Sequence, residues 1–323
     1  MPIISSTYKA PLWIGGKHAQ TIIPGLFHRV LNPPVYTRER ILTKDRDFLD
    51  LDWSCKGNKR LMIVTHGLEG NSQGPYILGM VKEFNAHHWD ALAWNFRSCS
   101  GELNHSVRLY HAGSTDDLEC VINHVVKTKQ YQEIALIAFS VGGNITLKYL
   151  GDTGDEVPKI ISKAVVFSAP CDLFACIQEL SFGFNRLYTN RFLSSLKAKM
   201  LKKAKIFPAL LSGIPISKIE DFIDFDNLIT APLSGFKDAF HYYSECSSKK
   251  VIGNIQVPTL IVNAQNDPFL HPASFPFEEC QKSRTVTLES PYDGGHQGFI
   301  KNHLIGRYWS EERALEFING SYL

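Results

Sequence analysis

Ile134-Ala135-Leu136-Ile137-Ala138-Phe139 runs without a polar side chain into Ser140-Val141-Gly142-Gly143, and residues 144–150 continue as a helix. An unbroken apolar run of this length marks a strand buried on both faces, as in a parallel sheet. A strand that turns at once into a helix around a serine is the setting of the G-x-S-x-G motif, whose tight turn lifts the hydroxyl above the sheet. The residues two before and two after the serine must be small to avoid collision. Here they are Ala138 and Gly142, so alanine stands where the motif has its first glycine, a difference of one methyl group. The competing reading is that Ser140 only caps the helix behind it. The short motif alone does not separate the two.

The same strand-then-helix grammar recurs on either side. Leu61-Met62-Ile63-Val64 is a second apolar run and ends in His66-Gly67-Leu68-Glu69-Gly70. Residues 75–86 are expected as a helix and residues 91–96 as another buried strand. Residues 114–126 read as a helix with Ser114 or Thr115 at its cap, acids in its first turn, and Leu118, Val121, Ile122 and Val125 at helical spacing. Residues 164–167, 259–262 and 285–288 supply further strands, and residues 311–318, with Ser310 as cap, close the chain as a helix. Before the first apolar run, residues 38–42 and 47–53 alternate about Lys44-Asp45-Arg46 and read as a hairpin. Residues 7–35 carry Pro11, Trp13, Ile22, Ile23, Leu26 and Phe27, enough apolar surface for a packed arm with a short helix.

Strands alternating with helices imply an α/β fold: a mostly parallel central sheet with helices on both faces and right-handed crossovers. The alternation stops between residues 171 and 250, where only helical and loop patterns occur. Residues 1–170 and 251–323 are therefore expected to form the core, and residues 171–250 a helical cap inserted over it.

Composition removes several classes. At 323 residues the chain should bury roughly three quarters of its unfolded surface, so it needs no staples. With 44% apolar and 20% charged residues it is neither disordered, collagen-like nor coiled coil. Lys+Arg 34 against Asp+Glu 32 leaves +2, so no global field would hold nucleic acid. No stretch approaches the ~20 apolar residues of a membrane span. Met1 to Ser6 lacks the basic and apolar regions of a secretory signal, and a cytoplasmic protein is expected. Seven scattered cysteines with no C-x-x-C read as reduced thiols rather than as a zinc site or a disulfide framework. His87, His88, His105 and His124 show no metal-ligand spacing, so no metal is expected.

A nucleophilic serine needs a base, and the base an orienting acid. Asp267 follows a buried strand in Gln265-Asn266-Asp267-Pro268-Phe269, and His296 follows the next strand in Gly294-Gly295-His296-Gln297-Gly298. Both would sit at the carboxyl ends of strands, where open α/β sheets keep their sites. Taken singly, Asp267 could be a turn-former before Pro268 and His296 a loop histidine. Together with Ser140 they fall in the order serine, acid, histidine. The backbone N–H groups of Leu68 and Val141 are the candidate oxyanion donors. His66 is read as a hydrogen-bonding residue that shapes its loop.

The chain resembles the YheT-type α/β-hydrolases, bacterial relatives of animal ABHD-type lipases and yeast medium-chain acyltransferases. The resemblance rests on His18-Ala19-Gln20-Thr21-Ile22, Asp47-Phe48-Leu49-Asp50-Leu51-Asp52-Trp53, His66-Gly67-Leu68-Glu69-Gly70 and Asn95-Phe96-Arg97-Ser98-Cys99-Ser100-Gly101-Glu102. It extends through Tyr110-His111-Ala112-Gly113, Thr230-Ala231-Pro232-Leu233, Asp267-Pro268-Phe269 and Gly294-Gly295-His296, and so spans most of the chain. It implies a triad of Ser140, Asp267 and His296. At the elbow this chain has Ala138-Phe139-Ser140-Val141-Gly142 where the family usually has Gly, Tyr, Ser, Leu, Gly. The family implies hydrolysis of short- to medium-chain or lipid-like esters, or acyl transfer to an alcohol, with no cofactor.

Two rival functions remain at this stage: an acyltransferase, and a catalytically silent scaffold that binds a ligand or partner. Intact triad residues weigh against the second. From Arg186 to Lys205 the insertion carries seven basic residues and no acid, beside a stripe of Leu193, Leu196, Met200, Ala204 and Phe207. Such a helix either lies on an anionic membrane surface as a peripheral contact or packs its stripe on the core. The second is the expectation, since such stripes usually face inward. The apolar residues Leu173, Phe174, Leu180, Phe182, Phe184, Leu187, Ile214, Ile219, Phe222 and Ile223 are expected to line the cap's inner wall.

Overall fold

The apolar runs pair into one sheet. The structure, a computed structural model, describes residues 2–26 and 30–320, and Phe27 of the N-terminal arm lies outside them. Its strands are β1 (Ile3–Ile4), β2 (Thr37–Leu42), β3 (Phe48–Ser54), β4 (Arg60–Thr65), β5 (Asp90–Trp94), β6 (Glu133–Phe139), β7 (Ile161–Phe167), β8 (Thr259–Val262) and β9 (Val286–Glu289). Their spatial order is β1-β9-β8-β7-β6-β4-β5-β3-β2. The pairs β2–β3 and β3–β5 are antiparallel, and the rest are parallel.

Successive side chains of a strand point to opposite faces, and two apolar layers result. Leu61, Ile63, Leu136, Ala138, Ala164 and Val166 face one layer. It is covered by α3 (Thr115–Thr128) and α4 (Val141–Thr153). Met62, Val64, Ala135, Ile137, Val165 and Phe167 face the other. That layer is covered by α2 (Pro75–Ala86) and by the last helix, Trp309–Asn319. The N-terminal arm contributes α1 (Lys17–Leu26).

Two expected caps differ. Ser114 sits at the start of α3, but its hydroxyl accepts the His111 N–H at 3.0 Å instead of capping the helix. The last helix begins at Trp309, so Ser310 lies inside it. Its start is closed by the Glu311 carboxylate, which accepts the Tyr308 N–H at 2.9 Å.

After β7 the chain leaves the sheet and returns at β8. The excursion contains α5 (Leu173–Leu180), α6 (Arg186–Ile206), α7 (Phe222–Phe225), a single π turn (Asp226–Thr230), α8 (Ala231–Ser234) and α9 (Ala239–Cys246). The α6 stripe packs inward: Leu193, Leu196 and Met200 join Leu180, Phe222, Phe225 and Phe269 in a third apolar cluster. The charged side of α6 is not simply solvated. Lys203 is fully buried, with Nζ donating to the carbonyls of Asn104 (3.1 Å) and Ser106. Burial pulls its ammonium down to about 8. The start of the excursion departs from expectation, since Phe182, Phe184 and Leu187 remain 72%, 48% and 58% exposed. A short helix, α10 (Phe277–Lys282), precedes β9, and the last helix is α11. No helix among the described residues is long and apolar enough to cross a membrane.

Candidate active site

Ser140 ends β6 with φ 52° and ψ −126°, a backbone conformation that L-residues avoid. Neighbouring bonds hold it there: its N–H donates to Phe167 O at 2.9 Å, and its carbonyl accepts the Asn144 N–H at 3.1 Å. The turn brings Gly142 against the carboxyl end of the neighbouring β4, where a Cβ would stand 2.3 Å from the His66 carbonyl oxygen. The side chain of Ser140 makes no cap bond to α4. Its Oγ instead lies 2.9 Å from His296 Nε2.

His296 Nδ1 lies 2.9 and 3.1 Å from the two carboxylate oxygens of Asp267. With Nδ1–H donating to that carboxylate, Nε2 is left to accept from the serine hydroxyl. Asp267 also accepts the Phe269 N–H at 2.8 Å, and the Phe269 ring packs on the imidazole with centroids 4.1 Å apart. All three side chains are buried. The other nearby acids are engaged elsewhere. Asp293 accepts from Gln20 Nε2 and Asn266 Nδ2, and Asp238 caps α9.

The histidine loop is held by the N-terminal arm. Thr21 Oγ1 accepts the His296 N–H at 2.9 Å, while Gln20 Oε1 accepts from Gly294 N–H and Asn266 Nδ2, each at 2.9 Å. A Cβ on Gly298 would meet Gln20 O at 2.2 Å, so glycine there permits the close approach of α1. Reasoning on the triad alone assigns Gln20 and Thr21 no part in this site. The signal for them is the His18-Ala19-Gln20-Thr21-Ile22 stretch carried by the family resemblance.

The loop after β4 is pinned on both sides of Leu68. Tyr76 Oη accepts the Gly67 N–H at 3.0 Å, and Tyr110 Oη accepts the Glu69 N–H at 2.8 Å. Between them the Leu68 N–H has no partner among the described residues, nor has the Val141 N–H at the start of α4. His66 shapes the loop, as expected. Its Nδ1 lies 2.7 Å from Gly67 O, and its Nε2 accepts the Phe96 N–H at 3.1 Å. Burial pulls its pKa down to about 3, which keeps the ring neutral.

Above Ser140 and His296 opens a cavity of about 520 Å³. Leu68 and Val141 reach it from the core, and Leu173, Ile177, Leu180, Phe192, Leu196 and Phe222 from the helical excursion. Of the side chains expected on its wall, Leu173, Leu180 and Phe222 line it, whereas Phe174, Phe182, Phe184, Leu187, Ile214, Ile219 and Ile223 do not.

The alpha/beta hydrolase fold model matches residues 60–303. The chain is 33% identical to the YheT protein of Escherichia coli (strain K12), over 93% of this chain and 89% of that one. This chain is a YheT-type α/β-hydrolase. The hydrolase is also 28% identical to the mouse phospholipase ABHD3, covering 93% of this chain and 75% of the relative. Among solved structures, the Pyrococcus furiosus esterase Pf2001 superposes with a TM-score of 0.58 at 16% identity, over 88% and 92% of the two chains, a likeness of fold. The hydrolase is therefore an enzyme of the esterase and lipase type.

Proposed function

We propose that this enzyme is a serine carboxylic-ester hydrolase for short- to medium-chain acyl esters, working through an acyl-enzyme. One observation carries the reading: the unbroken run Ser140 Oγ–His296 Nε2, His296 Nδ1–Asp267, at the floor of a largely apolar cavity. Ser140 Oγ attacks the ester carbonyl as His296 Nε2 takes its proton. Asp267 holds the imidazole in the tautomer that can accept, and stabilises the imidazolium. The developing oxyanion is met by the Leu68 and Val141 N–H groups. Loss of one such donor typically costs ~10²–10³ in rate. His296 then protonates the leaving alcohol. Water, deprotonated by His296, attacks the acyl-serine, and the acid departs. Residues 171–250 act as the cap that encloses the acyl chain.

A fluorophosphonate probe should label Ser140, and Ser140→Ala should lose both labelling and esterase activity. Labelling that persists in the alanine variant would place the nucleophile elsewhere. Free acid is the expected product.

A further inference from the structure

Two carboxyl groups line the cavity, and neither belongs to the triad. Glu69 is matched by Lys199 Nζ at 2.8 Å. Asp226 has no cationic partner among the described residues, although it is 93% buried. Tyr243 Oη donates to its Oδ2 at 2.7 Å. A carboxylate has about four acceptor sites, so capacity remains on the cavity side. Burial pushes the Asp226 carboxyl up to about 6.

The local backbone is built to present this group. Asp226 opens the π turn, a rare widening of the helix that recurs at functional sites. The turn and α8 behind it set Asp226, Ile229, Thr230 and Leu233 along the cavity wall. Thr230-Ala231-Pro232-Leu233 is also a stretch to which the triad gives no task.

The position within the cavity sets the substrate group that would reach it. Gly25, Leu26 and Arg191 are its exposed lining residues and mark the mouth. Phe225, Asp226, Ile229 and Tyr243 are buried lining residues, away from solvent. Ser140 and Asp226 line the same cavity, so an acyl chain on Ser140 that extends to Asp226 meets a carboxyl among apolar side chains. A methyl terminus would strip water from that carboxyl and return no hydrogen bond. A hydroxyl would return one, and it pairs with the carboxyl whether ionised or protonated. An ammonium group would have to be desolvated as an ion, which costs far more.

We propose that Asp226 forms part of the acyl site and selects acyl chains that carry a hydroxyl near their far end. The proposal rests on the ester-hydrolase reading above and adds a substrate class to it.

The test compares p-nitrophenyl esters of ω-hydroxyhexanoic, ω-hydroxyoctanoic and ω-hydroxydecanoic acids with their unsubstituted partners. At one or more lengths the wild-type enzyme should favour the hydroxylated member by about tenfold or more in kcat/KM, as sites built to bind a hydroxyl do. The ratio within each pair is the readout, so a general loss of activity cancels. It should fall to about one in Asp226→Leu, with the near-isosteric Asp226→Asn in between. No preference at any length in the wild-type enzyme overturns the proposal, and that result needs no variant to fold. A ratio that survives both substitutions overturns it too. So does a preference seen only for 2-hydroxyethyl hexanoate over propyl hexanoate, which would put the hydroxyl on the alcohol side. Fluorophosphonate labelling in parallel separates the two readings. Protein that labels at Ser140 yet shows no preference loses the Asp226 proposal alone, and protein that does not label loses the hydrolase reading beneath it.

Discussion

Ser140 is held at a positive φ that costs an L-residue on the order of 1–3 kcal/mol, and the strain persists because its neighbours leave no slack. At Gly142 an added Cβ would lie 2.3 Å from the His66 carbonyl oxygen and 2.8 Å from Thr65 Cγ2. Gly142→Ala should therefore destabilise the fold by about 1–3 kcal/mol as overpacking does, and tilt the serine out of line with His296. Denaturant unfolding should show the first effect, and a fall of about 100-fold or more in kcat/KM the second. A kcat/KM within about twofold of wild type would mean that the turn tolerates the methyl. The elbow was legible in the sequence because small residues at fixed offsets are a local signature. Ala138 kept that signature readable, since a single methyl fits beneath the turn. Gln20 and Thr21 were not assigned, for a physical reason: they act 246 and 275 residues away, on Asn266 and His296, through bonds that have no local pattern.

Helix α6 does more than cover the cavity. Ser195 and Lys199, one turn apart on it, both donate to the Glu69 carboxylate, which also accepts from Tyr110 Oη. Glu69 has φ 54° and directly follows Leu68, so the helix grips the residue next to a proposed oxyanion donor. The pair is largely shielded, with 17% of the Lys199 side chain and 6% of the Glu69 side chain exposed. Lys199→Met should leave a buried carboxylate uncompensated and cost about 3 kcal/mol of stability. Because the loop next to Leu68 loosens, kcat should fall about tenfold or more while KM changes little. A rise in KM with kcat intact would show that the contact only shapes the substrate site. The apolar stripe of α6 was readable from its spacing. The inward turn of Lys199 and Lys203 was not, because basic residues in a row look solvated until the acceptors of another segment are in place. The cap of α11 was missed on similar grounds. Ser310 is the better cap by type, yet the Glu311 side chain closes the turn two residues earlier, at Tyr308.

The sheet and the helical excursion line the cavity jointly: neither encloses the 520 Å³ alone. Each methylene buried there is worth about 0.8 kcal/mol, close to fourfold in kcat/KM when realised in the transition state. Among p-nitrophenyl esters, kcat/KM should climb from acetate through butyrate or hexanoate before the chamber ends. Acetate as the best substrate would overturn the acyl-chamber reading. The architecture was legible because strands buried on both faces announce themselves as apolar runs. The wall of the chamber was legible only in part. Phe182, Phe184 and Leu187 are apolar by type, but their exposure depends on how the first turns of the excursion dock. The strand order has a further consequence, for synthesis. β7 pairs with β8, and β8 lies 92 residues downstream of the end of β7. At about 5–20 residues per second, the ribosome leaves the β7 edge bare for roughly 5–20 s. Ile3–Ile4 waits longer still, because the strand it pairs with, β9, begins at Val286. The nascent chain thus carries an open, apolar sheet edge while those 92 residues are made, and residues 259–296 deliver both the closing strands and the histidine.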